Sequence, residues 1–291
     1  MKPAKFDYYA PTTLPEAVRL LAEHGDEAKL LAGGQSLVPL MNLRLAQPGV
    51  LIDLNRVDGL SYVRAMADGR LAIGAMTRHH EVATSPLVRE RCPLLADAAA
   101  RIGFPAIRHR GTLGGSLSHA DPVSEMPCVA VTLDAELVAA GPTGDRTIRA
   151  LDFFETYFTS ALAPDEVLRE IRYPAMGSGQ GWAFHESVRK TGDFAIVAVA
   201  AHLHLAGGRV AAARIGIAGV ADRPIRATRA EQSLIDALRP GSVDETAAAA
   251  AADLDEPPTD IHASADFRRR IVQVLVRRAL EDAMAMAERS A

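Results

Sequence analysis

Two short loops each carry a glycine pair, Ala32-Gly33-Gly34-Gln35-Ser36 and Thr112-Leu113-Gly114-Gly115-Ser116. A glycine pair lets the backbone approach a ligand closely, because no Cβ stands between the amides and the bound group. Several N–H groups aimed at one point form an anion site, most often for phosphate. One such loop is weak evidence. Two in one domain point to a cradle for a ligand with two phosphates, such as a dinucleotide. Other constellations lack what their chemistry needs. His79-His80-Glu81 has neither H-E-x-x-H spacing nor an evident third ligand, and reads as a helix start or surface pair. There is no G-x-S-x-G elbow for a hydrolase and no Walker loop for an NTPase.

The elements that must position these loops are legible from periodicity. Pro15 to His24 has apolar residues at helical spacing with Gly25 as a stop, and Ala28-Lys29-Leu30-Leu31 reads as a buried strand entering the first loop. A helical pattern resumes over 36–45. Val50 to Leu54 reads as a strand, and Tyr62-Val63-Arg64 with Leu71-Ala72-Ile73 as a hairpin about Asp68-Gly69. Thr77 is placed to cap a helix, and Pro93 to Ile102 is another helix before the second loop. Leu137-Val138-Ala139, Thr147-Ile148-Arg149 and 167–171 continue a mixed pattern.

The glycine-rich stretch 174–181 reads as a linker between domains, since it lacks G-x-G-x-x-G spacing and no helix pattern follows. Ala195 to Leu205 and Val210 to Val220 form a second hairpin about Gly207-Gly208. His202 and His204 alternate with apolar neighbours and are expected on one solvated strand face. Helices are expected over 228–238, 243–252 and 265–288, with Arg268-Arg269-Arg270 and Arg277-Arg278 on a solvated or subunit-facing surface.

Composition narrows the class. The 291 residues are 48% hydrophobic and 23% charged, enough for a full core and two domains or lobes. A net charge of −4 without a long basic run gives no reason to expect nucleic acid or a membrane surface. Met1 to Asp7 lacks the apolar core of a secretory signal, and no apolar stretch reaches bilayer-spanning length, so a cytoplasmic location is expected. Cys92 and Cys128 are the only two thiols and cannot supply the four thiolates of an iron–sulfur cluster.

With both loops placed, the chain resembles the FAD-binding medium subunits of molybdenum hydroxylases, which include aerobic carbon monoxide dehydrogenase and the xanthine dehydrogenase flavin domain. Three blocks carry the resemblance in the family's order: 32–39, from the first glycine loop to Val38-Pro39; 111–122, continuing to Ser118-His119-Ala120-Asp121-Pro122; and Arg189-Lys190-Thr191-Gly192-Asp193-Phe194-Ala195-Ile196. The Ser-Leu-Ser-His-Ala-Asp-Pro continuation resembles the carbon monoxide dehydrogenase branch more closely. The resemblance covers essentially the whole chain. It implies an α+β fold: a PCMH-type (vanillyl-alcohol-oxidase-like) FAD-binding domain over 1–176, then a smaller C-terminal domain of antiparallel sheet and helices over 177–291.

In such folds the glycine loops wrap the FAD pyrophosphate, which implicates Ala32, Gly33, Gly34, Gln35, Ser36, Thr112, Gly114, Gly115 and Ser116. Ile102 falls at an apolar contact near the flavin, and Glu125 where xanthine dehydrogenases usually carry aspartate. Leu168 and His185 sit near further contact positions, His185 replacing a lysine common in the xanthine branch. Asp121 is placed to accept from a sugar hydroxyl or to cap the turn before Pro122. Lys190 is placed at the flavin's pyrimidine edge or on plain surface, and Phe194 beside the isoalloxazine or in the core.

The resemblance also implies the role. Substrate is oxidised at a molybdenum cofactor on a large subunit, and electrons pass through [2Fe–2S] clusters on a small subunit to non-covalent FAD. This chain would be the FAD-carrying electron-transfer subunit, in a heterotrimer or dimer of heterotrimers, discharging to an external acceptor with no catalytic acid or base of its own. Two cysteines also exclude the variant with an additional [4Fe–4S] insertion. Two alternatives remain: a stand-alone flavin oxidase of the same superfamily, and a non-enzymatic interaction protein that has lost its cofactor. The intact glycines speak against the latter.

Overall fold

The structure is a computed structural model that describes residues 2–236 and 243–290. Its first element group is a small parallel sheet. Strands β1 (Asp7–Tyr9) and β2 (Ala28–Leu31) flank β3 (Val50–Asp53) and run parallel to it, with Leu31 beside Asp53. The crossover from β1 to β2 is helix α1 (Leu14–His24), whose N-terminus is capped by Thr13 and whose end is set by Gly25 at φ 51°. Ala17, Val18, Leu20 and Leu21 are its buried face, packed on Ala28, Val50 and Ile52 of the sheet. Parallel strands end at one edge, so the loop after β2 and the turn after β3 are neighbours. Helix α2 is shorter than the sequence pattern implies, spanning Leu37–Asn42. The chain then turns through Arg44 at φ 58°, which breaks the helical run.

An antiparallel five-stranded sheet forms the second layer, in the order β4 (Val63–Ala65), β5 (Leu71–Gly74), β10 (Val167–Tyr173), β6 (Glu136–Gly141), β7 (Gly144–Arg149). The hairpin about Asp68-Gly69 forms as expected, with Val63 opposite Ile73 and Ala65 opposite Leu71. Thr77 caps nothing: its buried hydroxyl bonds the backbone of Tyr62 at 3.1 Å, and α3 (His79–Thr84) begins two residues later. Helices α4 (Pro86–Arg91), α5 (Pro93–Arg101), α6 (Pro105–Arg108), α7 (Leu113–His119) and α8 (Glu125–Thr132) follow β5 in the chain. Beyond β7 come the single turn α9 (Ala150–Phe153) and the small ribbon of β8 (Phe154–Thr156) with β9 (Thr159–Ser160).

The remaining chain forms an antiparallel sheet, β11 (Gln180–Val188), β12 (Ala195–Ala206), β13 (Arg209–Ala218) and β14 (Ile225–Arg226), with α10 (Thr228–Asp236), α11 (Val243–Ala252) and α12 (Ala265–Ser290). The expected helix over 228–238 is observed to Asp236; its last two residues lie outside the described residues. Strand β12 shows why its sequence is apolar throughout. Val197, Val199, Ala201 and Leu203 face α12 and its neighbours, while Ala198 and Ala200 pack into the core shared with α5 and α8. A sheet buried on both faces needs a continuous hydrophobic run. Each fully buried valine or leucine there contributes about 1.5–3 kcal/mol.

Two surface expectations are corrected. Arg268 is buried, donating to the carbonyls of Ile196 at 2.5 Å and Gly219 at 2.9 Å and pairing with Asp260 at 2.7 Å. Its aliphatic stem lies on the packed face of α12, and both terminal guanidinium nitrogens find acceptors there, whereas the buried Nε has no hydrogen-bond partner among the described residues. His202 is not solvated either. Burial pushes it down to about 4, and its Nε2 pairs with Gln180 Oε1 at 2.9 Å.

Candidate cofactor-binding site

The first glycine loop leaves the carboxyl end of β2. Among the described residues, the amides of Gly33, Gly34, Gln35 and Ser36 have no hydrogen-bond partner. Gly34 adopts φ +71°, a conformation that L side chains rarely take. A Cβ on Gly33 would strike the Arg110 carbonyl and lie within 2.7 Å of Gly111 Cα, so this glycine permits the two loops to touch. The loop is held from outside by Asn55, whose Nδ2 donates to the Ala32 carbonyl at 2.9 Å. Arg78 in turn donates to Asn55 Oδ1 and to the Arg110 carbonyl, both at 2.6 Å. Gln35 folds back, its Nε2 donating to the Gly33 carbonyl at 3.1 Å.

The second loop is positioned by an extension of β5. His79 N donates to the Gly111 carbonyl, Leu113 N to the Thr77 carbonyl and Gly114 N to the Ala75 carbonyl, at 3.0, 3.0 and 2.8 Å. A Cβ on Gly114 would lie 2.7 Å from that Ala75 oxygen, and one on Gly111 2.8 Å from the His79 ring. Thr112 is the N-cap of α7: its Oγ1 accepts from Gly115 N at 3.0 Å, and Ser116 N donates to its carbonyl at 3.0 Å. The amides of the two loops are therefore not equivalent. Those of the first are unpaired, whereas those from Leu113 to Ser116 are engaged within the fold. The glycines of the second loop serve close packing, which brings it against the first.

A cavity of about 340 Å³ lies on the first loop, lined by Leu31, Gly33, Gly34, Gln35, Val38, Pro39, Asn42 and Arg110. It is at the small end of ligand pockets, sized for part of a dinucleotide. Free amides, a glycine at 33 whose Cβ position is occupied by the neighbouring loop, and one cationic residue fit a phosphate group. Asp53 stands at the adjacent strand end. Although burial opposes it, hydrogen bonds from Tyr8 at 2.6 Å and from Asn55 hold its carboxyl below the usual range.

Other residues singled out from the sequence fall elsewhere. Asp121 forms the turn before α8, its Oδ1 accepting from Val123 N at 3.1 Å, and burial raises its pKa. Glu125 opens α8, 8% exposed, and burial pushes it up to about 7, aided by Glu186 and Asp121. Glu186 on β11 is also raised by burial, and its Oε2 has no hydrogen-bond partner. Ile102 follows α5, half-buried, with its carbonyl accepting from Arg108 at 2.8 Å. The turn carrying Lys190 and Gly192 reaches this region: a Cβ on Gly192 would lie 3.0 Å from the Phe104 ring. Lys190 and Phe194 are exposed, Phe194 by 66%, so it is not core.

Leu168 does not line the cavity; it is buried in β10 opposite Ala139. His185 does not line it either, its Nε2 meeting Asp282 of α12 at 2.8 Å. Sequence reasoning missed Asn55, Arg78, His79 and Arg110, which build or edge the cradle. The only signal was the basic run Arg108-His109-Arg110 directly before the second loop. Cys92 and Cys128 are both buried free thiols. Among the described residues, no group of three His, Cys, Asp or Glu side chains is placed to hold a metal ion, and no helix is long and apolar enough to cross a membrane.

A parallel β-edge with paired glycine loops, followed by an antiparallel lobe, defines a dinucleotide-binding α+β protein. Residues 4–176 match the family described as the FAD binding domain in molybdopterin dehydrogenase, and 182–283 the CO dehydrogenase flavoprotein C-terminal domain. The chain belongs to this family of FAD-binding dehydrogenase subunits. It is 42% identical over 286 residues to the alpha subunit of the 6-hydroxypseudooxynicotine dehydrogenase complex of Paenarthrobacter nicotinovorans, covering 98% of this chain and 96% of that one. Identity to the carbon monoxide dehydrogenase medium chain of Hydrogenophaga pseudoflava is 40% over 285 residues, covering 98% and 99%. Among solved structures, carbon monoxide dehydrogenase from H. pseudoflava superposes with a TM-score of 0.95 at 41% identity, covering 98% and 99%. Quinoline 2-oxidoreductase from Pseudomonas putida 86 gives 0.92 at 38%, covering 99% of both chains.

Proposed function

We propose that this chain is the FAD-carrying electron-transfer subunit of a molybdenum-containing hydroxylase. It would take electrons from [2Fe–2S] clusters on a small partner subunit and pass them to an external acceptor, while a large partner subunit holds the molybdenum cofactor. The observation that carries the reading is the set of four unpartnered amides from Gly33 to Ser36, held open against the second loop in a chain of this family. Bound non-covalently, the flavin supplies the exchange between single-electron and two-electron carriers. The protein's own part is to bind and orient. The loop from Ala32 to Ser36 would offer its free amides to the phosphates, and Thr112 with Gly114 to Ser116 would hold the second loop against the first. The turn that carries Lys190 and Gly192 packs against the Phe104 ring and joins the second lobe to the first.

The reading divides the chain at 176/177, places it in the cytoplasm and puts it in a dimer of heterotrimers. Relatives in the family act on chemically unlike compounds, by their names carbon monoxide, 6-hydroxypseudooxynicotine and quinoline. A conserved architecture with varied substrates fits a subunit that never touches substrate. The test is purification of the tagged chain from its source cell, with visible spectrum, metal content and accompanying chains recorded. Extractable FAD with molybdenum, iron and two further chains is expected. A lone yellow protein reduced directly by a small substrate, without metal, would replace this reading with the stand-alone oxidase.

A further inference from the structure

Resting on that reading of the cavity, we infer that Arg110 is the phosphate-charge partner of the bound dinucleotide: it lines the cavity together with Gly33, Gly34 and Gln35, whose amides are free. A dinucleotide brings two negative phosphates. The first loop offers dipoles but no cation, and the amides from Leu113 to Ser116 are already engaged. Of the residues that line the cavity, Arg110 alone carries a charge; Gln35 is tied to the Gly33 carbonyl, and Asn42 is neutral.

The backbone of Arg110 is fixed and its side chain is not. Its carbonyl accepts from Arg78 at 2.6 Å and lies where a Gly33 Cβ would be, and its N donates to the Ile107 carbonyl at 3.1 Å. Among the described residues, its exposed guanidinium forms no hydrogen bond and no ion pair within the fold. The one nearby carboxylate, Asp53, is held by Tyr8 and Asn55 and feels Arg110 only at a distance. A side chain with five donors in a fork, anchored at a glycine loop and left unpaired, suits an oxygen-rich anion.

The experiment strips flavin from the full chain, purified with its accompanying chains, and measures rebinding of FAD, ADP and riboflavin. Wild type is compared with Arg110→Gln, Arg110→Lys and Gly34→Val at about 0.05 and about 0.5 M salt. A lost charge-assisted contact predicts a fall of about 10–100-fold in FAD and ADP affinity for Arg110→Gln, smaller at high salt. Riboflavin binding stays unchanged, Arg110→Lys recovers part of the loss, and the thermal melt of the exposed-site variant is that of wild type. If Arg110→Gln binds FAD as wild type does while Gly34→Val has lost it, the cavity reading stands and the role of Arg110 is overturned. If both bind as wild type, the cavity reading itself fails. An equal loss of riboflavin would show that Arg110 does not act on phosphate.

Discussion

Glu125 shows how a single carboxyl can run against the chain's pH behaviour. Burial raises it from 4.5 to about 7, so the folded state holds a proton that the unfolded chain releases. Stability from this group is intact below about pH 4.5 and is lost as pH rises through 7. His79 has the opposite sign. Burial, with Arg108 and Arg78 nearby, depresses it from 6.5 to about 4, so its contribution is lost as pH falls toward 4. The two oppose each other in the window they share. Glu125→Gln, which keeps the shape and removes the titration, is expected to stabilise the protein by about 2–3 kcal/mol more at about pH 8 than at about pH 5. Urea unfolding at the two values checks this. A gain independent of pH would mean that Glu125 does not titrate as its burial requires.

At the scale of elements, the start of α7 joins the site to the fold. Thr112→Ala removes the bond to Gly115 N and is expected to cost about 1 kcal/mol, read as a lower melting temperature. Gly114→Ala pushes a methyl toward Ala75 and is expected to cost about 1–3 kcal/mol by overpacking, with weakened flavin retention. Retention unchanged in both variants would detach the second loop from the cofactor. Such local features were legible in advance: the Gly25 stop of α1, the hairpin of β4 with β5, and both glycine loops each follow from neighbouring residues. What could not be read is set by distant partners. Nothing local says that β10 inserts between β5 and β6, or that β5 extends far enough to occupy the amides of the second loop. The same holds for Arg268, which lies in a run of three arginines, and for His202, whose alternation with apolar residues reads as a solvated face.

The whole molecule is joined where α8 meets the second sheet. A Cβ on Gly216 of β13 would strike Thr132 Oγ1 and lie 2.9 Å from the Cys128 carbonyl, so the helix and strand backbones are in direct contact. Beside them Arg226 of β14 binds Glu231 through two nitrogens at 2.5 and 2.7 Å, and reaches back to the Val131 carbonyl and Asp134 at 3.2 and 3.1 Å. Glu231 is 7% exposed and also accepts from Ile215 N at 2.8 Å, so it stays buried without its arginine partner if Arg226 is lost. Leaving one partner of a buried pair costs about 3–5 kcal/mol. Because Phe184, Ala198 and Ala200 of the second sheet share one core with α5 and α8, neither half can lose its structure without exposing the other's core. Scanning calorimetry of Arg226→Met is therefore expected to show one transition, about 5–10 °C below wild type, rather than an early peak for the second lobe alone. Two resolved peaks in the variant would mean that the shared core does not couple the halves, and that the half carrying the ligand site and the second lobe unfold independently.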